Sequence, residues 1–252
     1  MKKILLISGI LIILVGIAGL GYWYWQQRPA SVPPLQQVAL DNATVTSFED
    51  VCTDDGDGYL SCTGNIEQFG CYRYGTNYYS DFTNLSPAYP IITCYKKDGS
   101  AGVYLYKGTD TSSSAYTGVH YIVIRDGFFQ LITALQEFQK IYQPISNIAE
   151  AKDYFIATGK ASFVDSDVAI DSIQNAAKAG TYYVTDDKLQ KSTVIETENN
   201  FIINSYSHSS LGTFSCANDL YSLTFLLDRD GSLFEQDKTL VWEINDPPAC
   251  TK

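Results

Sequence analysis

The chain has 252 residues, 45% of them apolar, 18% charged and 13% aromatic, and its acidic residues outnumber Lys and Arg by 28 to 17. This composition excludes a disordered chain, a collagen and a protein with several membrane spans. The length allows one large domain or two small ones. Because a net charge of -11 repels phosphate backbones, we expect no nucleic-acid partner.

The first 25 residues are typical of a membrane anchor. Lys2 and Lys3 precede an uncharged run, Ile4–Trp25, which as a helix reaches roughly 33 Å and so crosses a bilayer core of about 30 Å. The aromatic end of the run suits an interface, and the lysines place the N-terminus in the cytoplasm. We predict a single-pass cell-membrane protein with residues 29–252 extracytoplasmic. A cleaved signal peptide is the alternative, although its apolar core spans only about 7–15 residues.

The next two segments differ in composition. Residues 26–43 hold three prolines and little periodicity, which indicates a stalk. Residues 44–132 are rich in Tyr, Thr, Ser and Gly, with short apolar runs between turn residues, a pattern typical of strands. The clearest hairpin is Val119–Ile132, where Asp126 and Gly127 form a favoured two-residue turn. We predict a β-rich, disulfide-braced region over 44–132.

Helical spacing replaces the strand pattern from Thr133. Thr133 with Gln136 forms a capping box for a helix that Pro144 ends. Asn147 opens a second helix through Ala157, and a weaker third helix is predicted over Asp167–Ala179.

Strands return after the third predicted helix, with hairpins around residues 198–200 and around Asp230–Gly231. Leu240, Trp242 and Ile244 alternate along a last strand. Residues 133–252 are thus a helix-plus-antiparallel-meander region. The predicted fold class is α+β, with mostly antiparallel sheets and two or three helices in the middle of the chain, preceded by a single N-terminal transmembrane helix.

Two short segments carry a resemblance to a known family. Ser146–Ala157 contains Glu150 and Ala151 in the spacing S-x-x-E-A-x-x-x-A, and Leu227–Leu233 is a strand–Asp-Gly–strand sequence. Together they resemble PepSY-type and cystatin-like modules over roughly 146–244. The resemblance implies a helix packed on an antiparallel meander and an extracytoplasmic setting, with peptidase inhibition suggested for some members. The chain departs from the family in a long insertion, residues 161–191, and in Cys216.

All cysteines lie beyond the predicted anchor. An even number of them in an exported chain indicates disulfides, with 15 possible connectivities for six cysteines. No CxxC pair is present, which disfavours a zinc site. We predict that neighbours in sequence pair, as Cys52–Cys62, Cys71–Cys94 and Cys216–Cys250.

An acidic segment, Thr53–Tyr59, is the candidate metal site. Asp54, Asp55 and Asp57 alternate with glycines, as in loops that bind Ca²⁺ through carboxylate oxygens. It is not an EF-hand, because the twelfth position would be Gly64. The alternative, a polar turn within the Cys52–Cys62 loop, is favoured. We therefore expect no cofactor, with a structural Ca²⁺ ion as the open possibility and Asp228 with Asp230 as a thinner second case.

Aromatic side chains are the candidate recognition residues. Exposed tyrosines can stack on sugar rings or anchor protein partners, whereas buried tyrosines pack on a sheet. For the cluster named below, packing on a sheet is the favoured role. The cluster between Cys71 and Cys94 comprises Tyr72, Tyr74, Tyr78, Tyr79, Phe82 and Tyr89.

Residues that usually carry catalysis are scarce. The histidines are His120 and His208, and the sequence contains no G-x-S-x-G elbow, HExxH motif or phosphate loop, so we assign no catalytic residue. The expected function is that of a membrane-tethered extracytoplasmic envelope module that binds a protein, peptide or glycan. The alternatives are an extracytoplasmic hydrolase using His208 or a carboxylate pair, and a purely structural envelope protein.

Overall fold

A computed structural model describes most of the chain beyond residue 35. Within it the fold is α+β, with mostly antiparallel sheets and two α-helices, as the sequence predicts. No helix among the described residues is long and apolar enough to cross a membrane, and the predicted anchor, Ile4–Trp25, lies outside them. The described ranges are 36–56, 59–75, 82–96, 102–107, 116–167, 170, 182–184, 189–210 and 218–244.

The first sheet has eight antiparallel strands in the order β1-β8-β7-β5-β4-β3-β2, with β6 also paired to β7. Its first strand comes from the segment predicted as a stalk, 26–43, so the sheet begins inside that segment. The predicted β7–β8 hairpin is confirmed: Asp126 and Gly127 both have positive φ, 54° and 80°, as a tight two-residue turn requires. The strands are β1 Gln36–Ala39, β2 Cys52–Asp54, β3 Tyr59–Cys62, β4 Arg73–Gly75, β5 Ile91–Lys96, β6 Tyr104–Lys107, β7 Tyr116–Arg125 and β8 Phe128–Ile132.

The middle of β7 is buried on both faces of this sheet. Along β7, Ile122 and Ile124 face a peripheral core completed by two short 3-10 helices, Phe48–Asp50 and Asn65–Phe69. Tyr121 and Val123, on the opposite face, belong to the main core. Successive side chains of β7 point to opposite faces, and both faces are covered. Neither set of side chains meets solvent, which explains why the apolar run in β7 is nearly continuous.

Two helices follow the first sheet, α1 Leu135–Tyr142 and α2 Ile148–Ala157. The predicted cap of α1 is wrong by one position: Glu137, not Gln136, accepts hydrogen bonds from the backbone N–H groups of Thr133 at 2.6 Å and Ala134 at 3.2 Å. The α2 cap is confirmed, because the Asn147 side chain accepts a hydrogen bond from the Glu150 N–H at 3.0 Å. The third predicted helix lies almost wholly outside the described residues.

The second sheet has five antiparallel strands in the order β10-β11-β12-β13-β9. Four of them, β10 to β13, form a meander in which each strand pairs with the next one in sequence. The hairpins predicted around 198–200 and Asp230–Gly231 join β10 to β11 and β12 to β13. The strands are β9 Tyr182–Val184, β10 Thr193–Glu196, β11 Asn200–Ser210, β12 Asn218–Asp228 and β13 Leu233–Ile244.

One main core joins both sheets through the helices. Phe138 of α1 is fully buried at its centre, with its ring centroid 5.4 Å from that of Tyr121, 4.7 Å from that of Tyr142 and 5.3 Å from that of Tyr154. The same core includes Phe201 and other residues of the second sheet. The described residues belong to one compact unit, and residues of the two sequence regions, 44–132 and 133–252, both contribute to this core.

The tip of the β12–β13 hairpin is fastened to the helices. The Tyr154 hydroxyl donates to the Gly231 carbonyl at 3.0 Å, and the Gln139 amide donates to the Asp230 carbonyl at 2.7 Å. The Ile145 N–H donates to the Arg229 carbonyl at 2.7 Å. Gly231 has a φ of 85°, which favours glycine. The turn residues thus close the hairpin and also bind it, through their carbonyl groups, to α1, α2 and the loop between these helices.

Two of the three predicted disulfides are confirmed. Cys52–Cys62 has a Cα–Cα distance of 4.0 Å and links β2 to β3, where the two residues are directly opposite each other. Cys71–Cys94 has a Cα–Cα distance of 5.4 Å and joins the entry of β4 to the middle of β5. The third predicted pair, Cys216–Cys250, lies outside the described residues.

Candidate functional site

Four side chains on or directly beside strands β3 to β5 form what we call the aromatic patch: Tyr59, Tyr72, Arg73 and Tyr95. Arg73 is directly opposite Tyr95, and Tyr59 is opposite Gly75 on the next strand pair, so register places these side chains on one face of the sheet. Tyr72 precedes β4, and its backbone N–H donates to the Tyr95 carbonyl at 3.0 Å. The patch is therefore a product of strand pairing.

The Tyr95 ring contacts the other two tyrosine rings of the aromatic patch, one of them edge-on and one at a tilt. The Tyr59 and Tyr95 centroids are 6.3 Å apart with their planes at 74°, and the Tyr72 and Tyr95 centroids are 6.4 Å apart at 55°. The Arg73 guanidinium carbon lies 4.5 Å from the Tyr59 ring centroid, within cation–π range. Tyr72 is 40% exposed, Arg73 is exposed, and the other two tyrosines are half-buried. Ring surface and a cation are thus available together to a partner.

The surrounding sequence holds the patch in place. Gly75 leaves room for the Tyr95 ring, because a Cβ at this glycine would lie 3.2 Å from Tyr95 Cε2. The Cys71–Cys94 disulfide ends one residue before Tyr72 and one residue before Tyr95, so it ties together the two backbone segments that carry them. A side chain with fixed backbone and packed neighbours loses little entropy on binding.

The tyrosine cluster predicted between Cys71 and Cys94 divides among several environments. Tyr72 reaches the surface, whereas Tyr74 is buried in the peripheral core, where its hydroxyl donates to the Ile66 carbonyl at 3.3 Å. Burial raises the pKa of the Tyr74 phenol, and the nearby Glu67 carboxylate adds to the effect. The rest of the cluster comprises Phe82, which is buried, Tyr89, which is half-buried, and Tyr78 and Tyr79, which lie outside the described residues.

Tyr59 and Tyr95 were not predicted as recognition residues, because both lie outside the Cys71–Cys94 interval. One signal was present in the sequence. Tyr95 directly follows Cys94, so it must lie on the face of β5 opposite to that cysteine. Tyr59 gave no comparable signal, since its proximity to Tyr95 depends on the pairing of β3 with β4 and of β4 with β5.

The acidic segment forms a turn between β2 and β3. The Asp54 carboxylate accepts a hydrogen bond from the Gly56 N–H at 2.8 Å, and the Asp55 N–H donates to the Tyr59 carbonyl at 3.0 Å. Asp57 lies outside the described residues. In the described ranges, no group of three or more His, Cys, Asp or Glu side chains is placed to hold a metal ion. At the second acidic turn, the Asp230 carboxylate accepts from the Ser232 N–H at 2.8 Å.

The two histidines occupy different sheets. His120 lies in β7 opposite Cys94 and is 2% exposed, so its imidazole is shielded from solvent. His208 lies in β11, and its side chain is outside the described part of the molecule. A general base must reach its substrate directly or through one water molecule, and the burial of His120 does not favour that role.

A shallow groove of about 590 Å³ lies beside the β7–β8 turn. Its lining is mostly apolar and contains no charged side chain, which gives it little means of orienting a small polar ligand. The groove is lined by Leu40, Asn42, Ala43, Val45, Thr46, Pro90, Ile124 and Gly127.

No protein-family model, no curated protein and no solved structure matches this chain. What the aromatic patch binds is therefore inferred from its geometry and chemistry. One exposed and two half-buried tyrosine rings beside an arginine offer apolar contact and a cation on a single face of the sheet.

Proposed function

We propose that this chain is a non-enzymatic, membrane-tethered extracytoplasmic module that binds a protein, peptide or glycan through the aromatic patch. One observation carries the proposal: three tyrosine rings and Arg73 meet on one face of a sheet, with Tyr72 40% exposed. Tyrosine and arginine are enriched among the few residues that contribute most of the binding energy at protein interfaces, and such residues contribute most where the partner excludes water.

The chemistry of the patch favours a protein or peptide over a glycan. Arg73 lies over the Tyr59 ring, and a stacked guanidinium keeps its N–H groups free at its edge to bind a carboxylate. A segment that carries an acidic residue beside an apolar or aromatic one would use both features of the patch. A sugar ring would use the tyrosine faces alone, so a glycan is the second partner class to be tested.

The tether is supported by the sequence and by the disulfides. Ile4–Trp25 has the length and flanking residues of a membrane span. Two disulfides fall within residues 52–94, and such bonds persist mainly outside the cytoplasm. The sequence resemblance of Ser146–Ala157 and Leu227–Leu233 to PepSY-type modules adds support for an extracytoplasmic setting.

The proposed topology predicts which part of the chain protease can reach. Protease added to intact cells, or to spheroplasts if an outer membrane is present, should digest residues 29–252, because they lie outside the cytoplasmic membrane. A cytoplasmic marker protein that stays intact is the control. Complete protection of the body, together with inactive alkaline phosphatase fused to the C-terminus, would contradict the extracytoplasmic placement.

If the aromatic patch binds the partner, replacing its exposed Tyr72 should weaken binding, whereas replacing a similarly exposed phenylalanine outside the patch should not. Full-length protein in mild detergent is screened on a peptide array and a glycan array, and the affinity for the strongest hit is measured by titration. Tyr72→Ala should weaken binding at least about tenfold, since truncating a hot-spot residue costs about 2 kcal/mol. Phe128→Ala removes an aromatic ring of similar exposure, 39%, outside the patch and should leave the affinity unchanged.

The array results separate the partner classes. Hits confined to acidic and aromatic peptides support a protein partner, and hits confined to glycans assign the patch to sugar binding. A chain that binds neither array, or binds equally well after Tyr72→Ala, contradicts the binding proposal. Labelling by serine-hydrolase or glycosidase activity probes, abolished by His208→Ala, would instead identify a hydrolase.

A further inference from the structure

The second sheet carries an exposed apolar row on the face turned away from the main core. Ile195, Ile202, Leu226 and Phe234 are directly opposite one another in succession across β10, β11, β12 and β13. We call this set the outer row. Its two ends are the most exposed, with Ile195 at 52% and Phe234 at 50%, while Ile202 and Leu226 are half-buried. A contiguous apolar row of this kind marks a candidate interaction surface.

One end of the outer row lies on an edge strand. Within the described residues, β10 pairs with β11 and with no other strand. The Thr197 N–H donates to the Asn200 carbonyl across the hairpin, so alternation along the strand turns the N–H and C=O groups of Val194 and Glu196 away from β11. Ser192, two residues before Val194, follows this alternation, because its N–H donates to the Val164 carbonyl at 2.7 Å.

The backbone groups of Val194 and Glu196 therefore form an edge on which a further strand can pair. Proteins often protect such edges with lysine, proline, bulges or a covering element. β10 has the sequence Thr-Val-Ile-Glu, without lysine or proline, and its Glu196 is already ion-paired with Arg229 at 2.8 Å. An apolar row that runs out to an edge with which no described strand pairs is the combination that strand addition uses.

We propose that a second copy of this chain pairs with β10 in antiparallel fashion, about a two-fold axis at Ile195. Ile195 then lies opposite the partner's Ile195, and Val194 lies opposite the partner's Glu196. About four backbone hydrogen bonds form, because Val194 and Glu196 are the residues whose polar groups face outwards. The two five-stranded sheets become one continuous sheet, and the two outer rows meet at the axis.

The register identifies a second copy as the occupant because the edge is complementary to itself. Centring on Ile195 places this residue against the partner's Ile195 and Thr193 against the partner's Thr197. If the partner strand were shifted by one residue, side chains from opposite faces of the two sheets would be paired. If the two-fold axis passed through Val194, Ile195 would lie opposite the partner's Thr193. No carboxylate lies opposite another carboxylate, since Glu196 lies opposite a valine. Self-complementarity of this type is the requirement of a two-fold interface.

A proline substitution tests the backbone pairing. Sedimentation of the full chain in detergent should show a reversible dimer. Glu196→Pro removes an N–H that points away from β11, so the β10–β11 pairing is kept while about two intermolecular hydrogen bonds are lost. We expect the dimer dissociation constant to rise at least about tenfold. Glu196→Ala is the matched control, because it removes the Arg229 ion pair and retains the N–H.

Substitutions at the axis test the register. Ile195→Cys should form an interchain disulfide. The two copies of residue 195 would be a non-hydrogen-bonded antiparallel pair, in which the Cα atoms are about 4.5 Å apart. Thr193→Cys should not, since the two equivalent residues would be offset by roughly 13 Å along the strands. Ile195→Lys should abolish the dimer through opposed like charges, and mixing it with Ile195→Glu should restore a mixed dimer.

Three results would overturn the proposal. The first is a chain that remains monomeric and gives no disulfide with Ile195→Cys. The second is a dimer unaffected by both Glu196→Pro and Ile195→Lys, which would place the interface elsewhere, for example in Ile4–Trp25. The third is a monomer that binds an extended peptide, with binding lost in Glu196→Pro, which would assign this edge to another partner. Far-ultraviolet circular dichroism of each variant checks that the fold is retained.

Discussion

Replacing Gly231 with alanine should lower the free energy of unfolding by about 3 kcal/mol, measured by urea denaturation. Two costs add. The backbone φ of 85° is unfavourable for any residue with a Cβ, at about 1 kcal/mol or more. The new Cβ would also lie 2.8 Å from the Tyr154 hydroxyl oxygen and 2.9 Å from Gln139 Cγ. Relieving these contacts displaces the hairpin tip from the helices, which costs a further 1–3 kcal/mol or so.

Gly127→Ala separates the two costs. Gly127 has a similar φ of 80°, and a Cβ there would meet nothing within 4 Å. Its substitution should therefore cost about 1 kcal/mol, from backbone strain alone. Equal losses at Gly127 and Gly231 would contradict the close approach of Tyr154 and Gln139 to the β12–β13 turn.

Phe138→Ala should destabilise the protein more than either glycine substitution, with a loss of about 4 kcal/mol in the free energy of unfolding. Phe138 is fully buried, and its ring lies against three tyrosines of α1, α2 and β7. The cavity left by its removal opens between β7, α1 and α2 in the core that both sheets share, so no single element can move to fill it. Thermal and urea denaturation, followed by circular dichroism, measure the effect.

Phe128→Ala is the matched control, because it removes the same ring from a site that is 39% exposed. Its cost should stay below about 1.5 kcal/mol, as little apolar surface is returned to water. A single transition is also expected for both sheets in the Phe138→Ala variant. Separate transitions for residues 44–132 and 133–252 would contradict a shared core.

The two proposed surfaces would act together in a dimer. The aromatic patch lies on the first sheet, and the β10 edge lies on the second. A dimer through β10 would therefore carry two copies of the patch. If both copies engage one repetitive partner, avidity exceeds the affinity of a single patch by a large factor. A monomeric Glu196→Pro variant that keeps single-site affinity but loses avidity would show this coupling.

Several features of this protein were determined by the sequence because their causes are local. Asp126–Gly127 and Asp230–Gly231 form hairpin turns since their backbone preferences are set within two residues. The cap at Asn147 acts within three residues, and the disulfides Cys52–Cys62 and Cys71–Cys94 close short loops. The α+β fold class was predictable for a similar reason. The spacing of apolar residues distinguishes strands from helices, and it changes along the chain in the order in which the elements occur.

Other features were decided only by the tertiary structure, because they depend on which distant segments meet. Tyr59 joins Tyr72 and Tyr95 through the register of three strands, and a shift of one residue would turn its ring to the other face. The outer row likewise exists only when four strands align. Phe138 follows a helical pattern in the sequence, but its burial against Tyr121 and Tyr154 depends on how β7 and α2 pack on α1. Turns and caps are encoded by neighbours, whereas binding surfaces are assembled by packing.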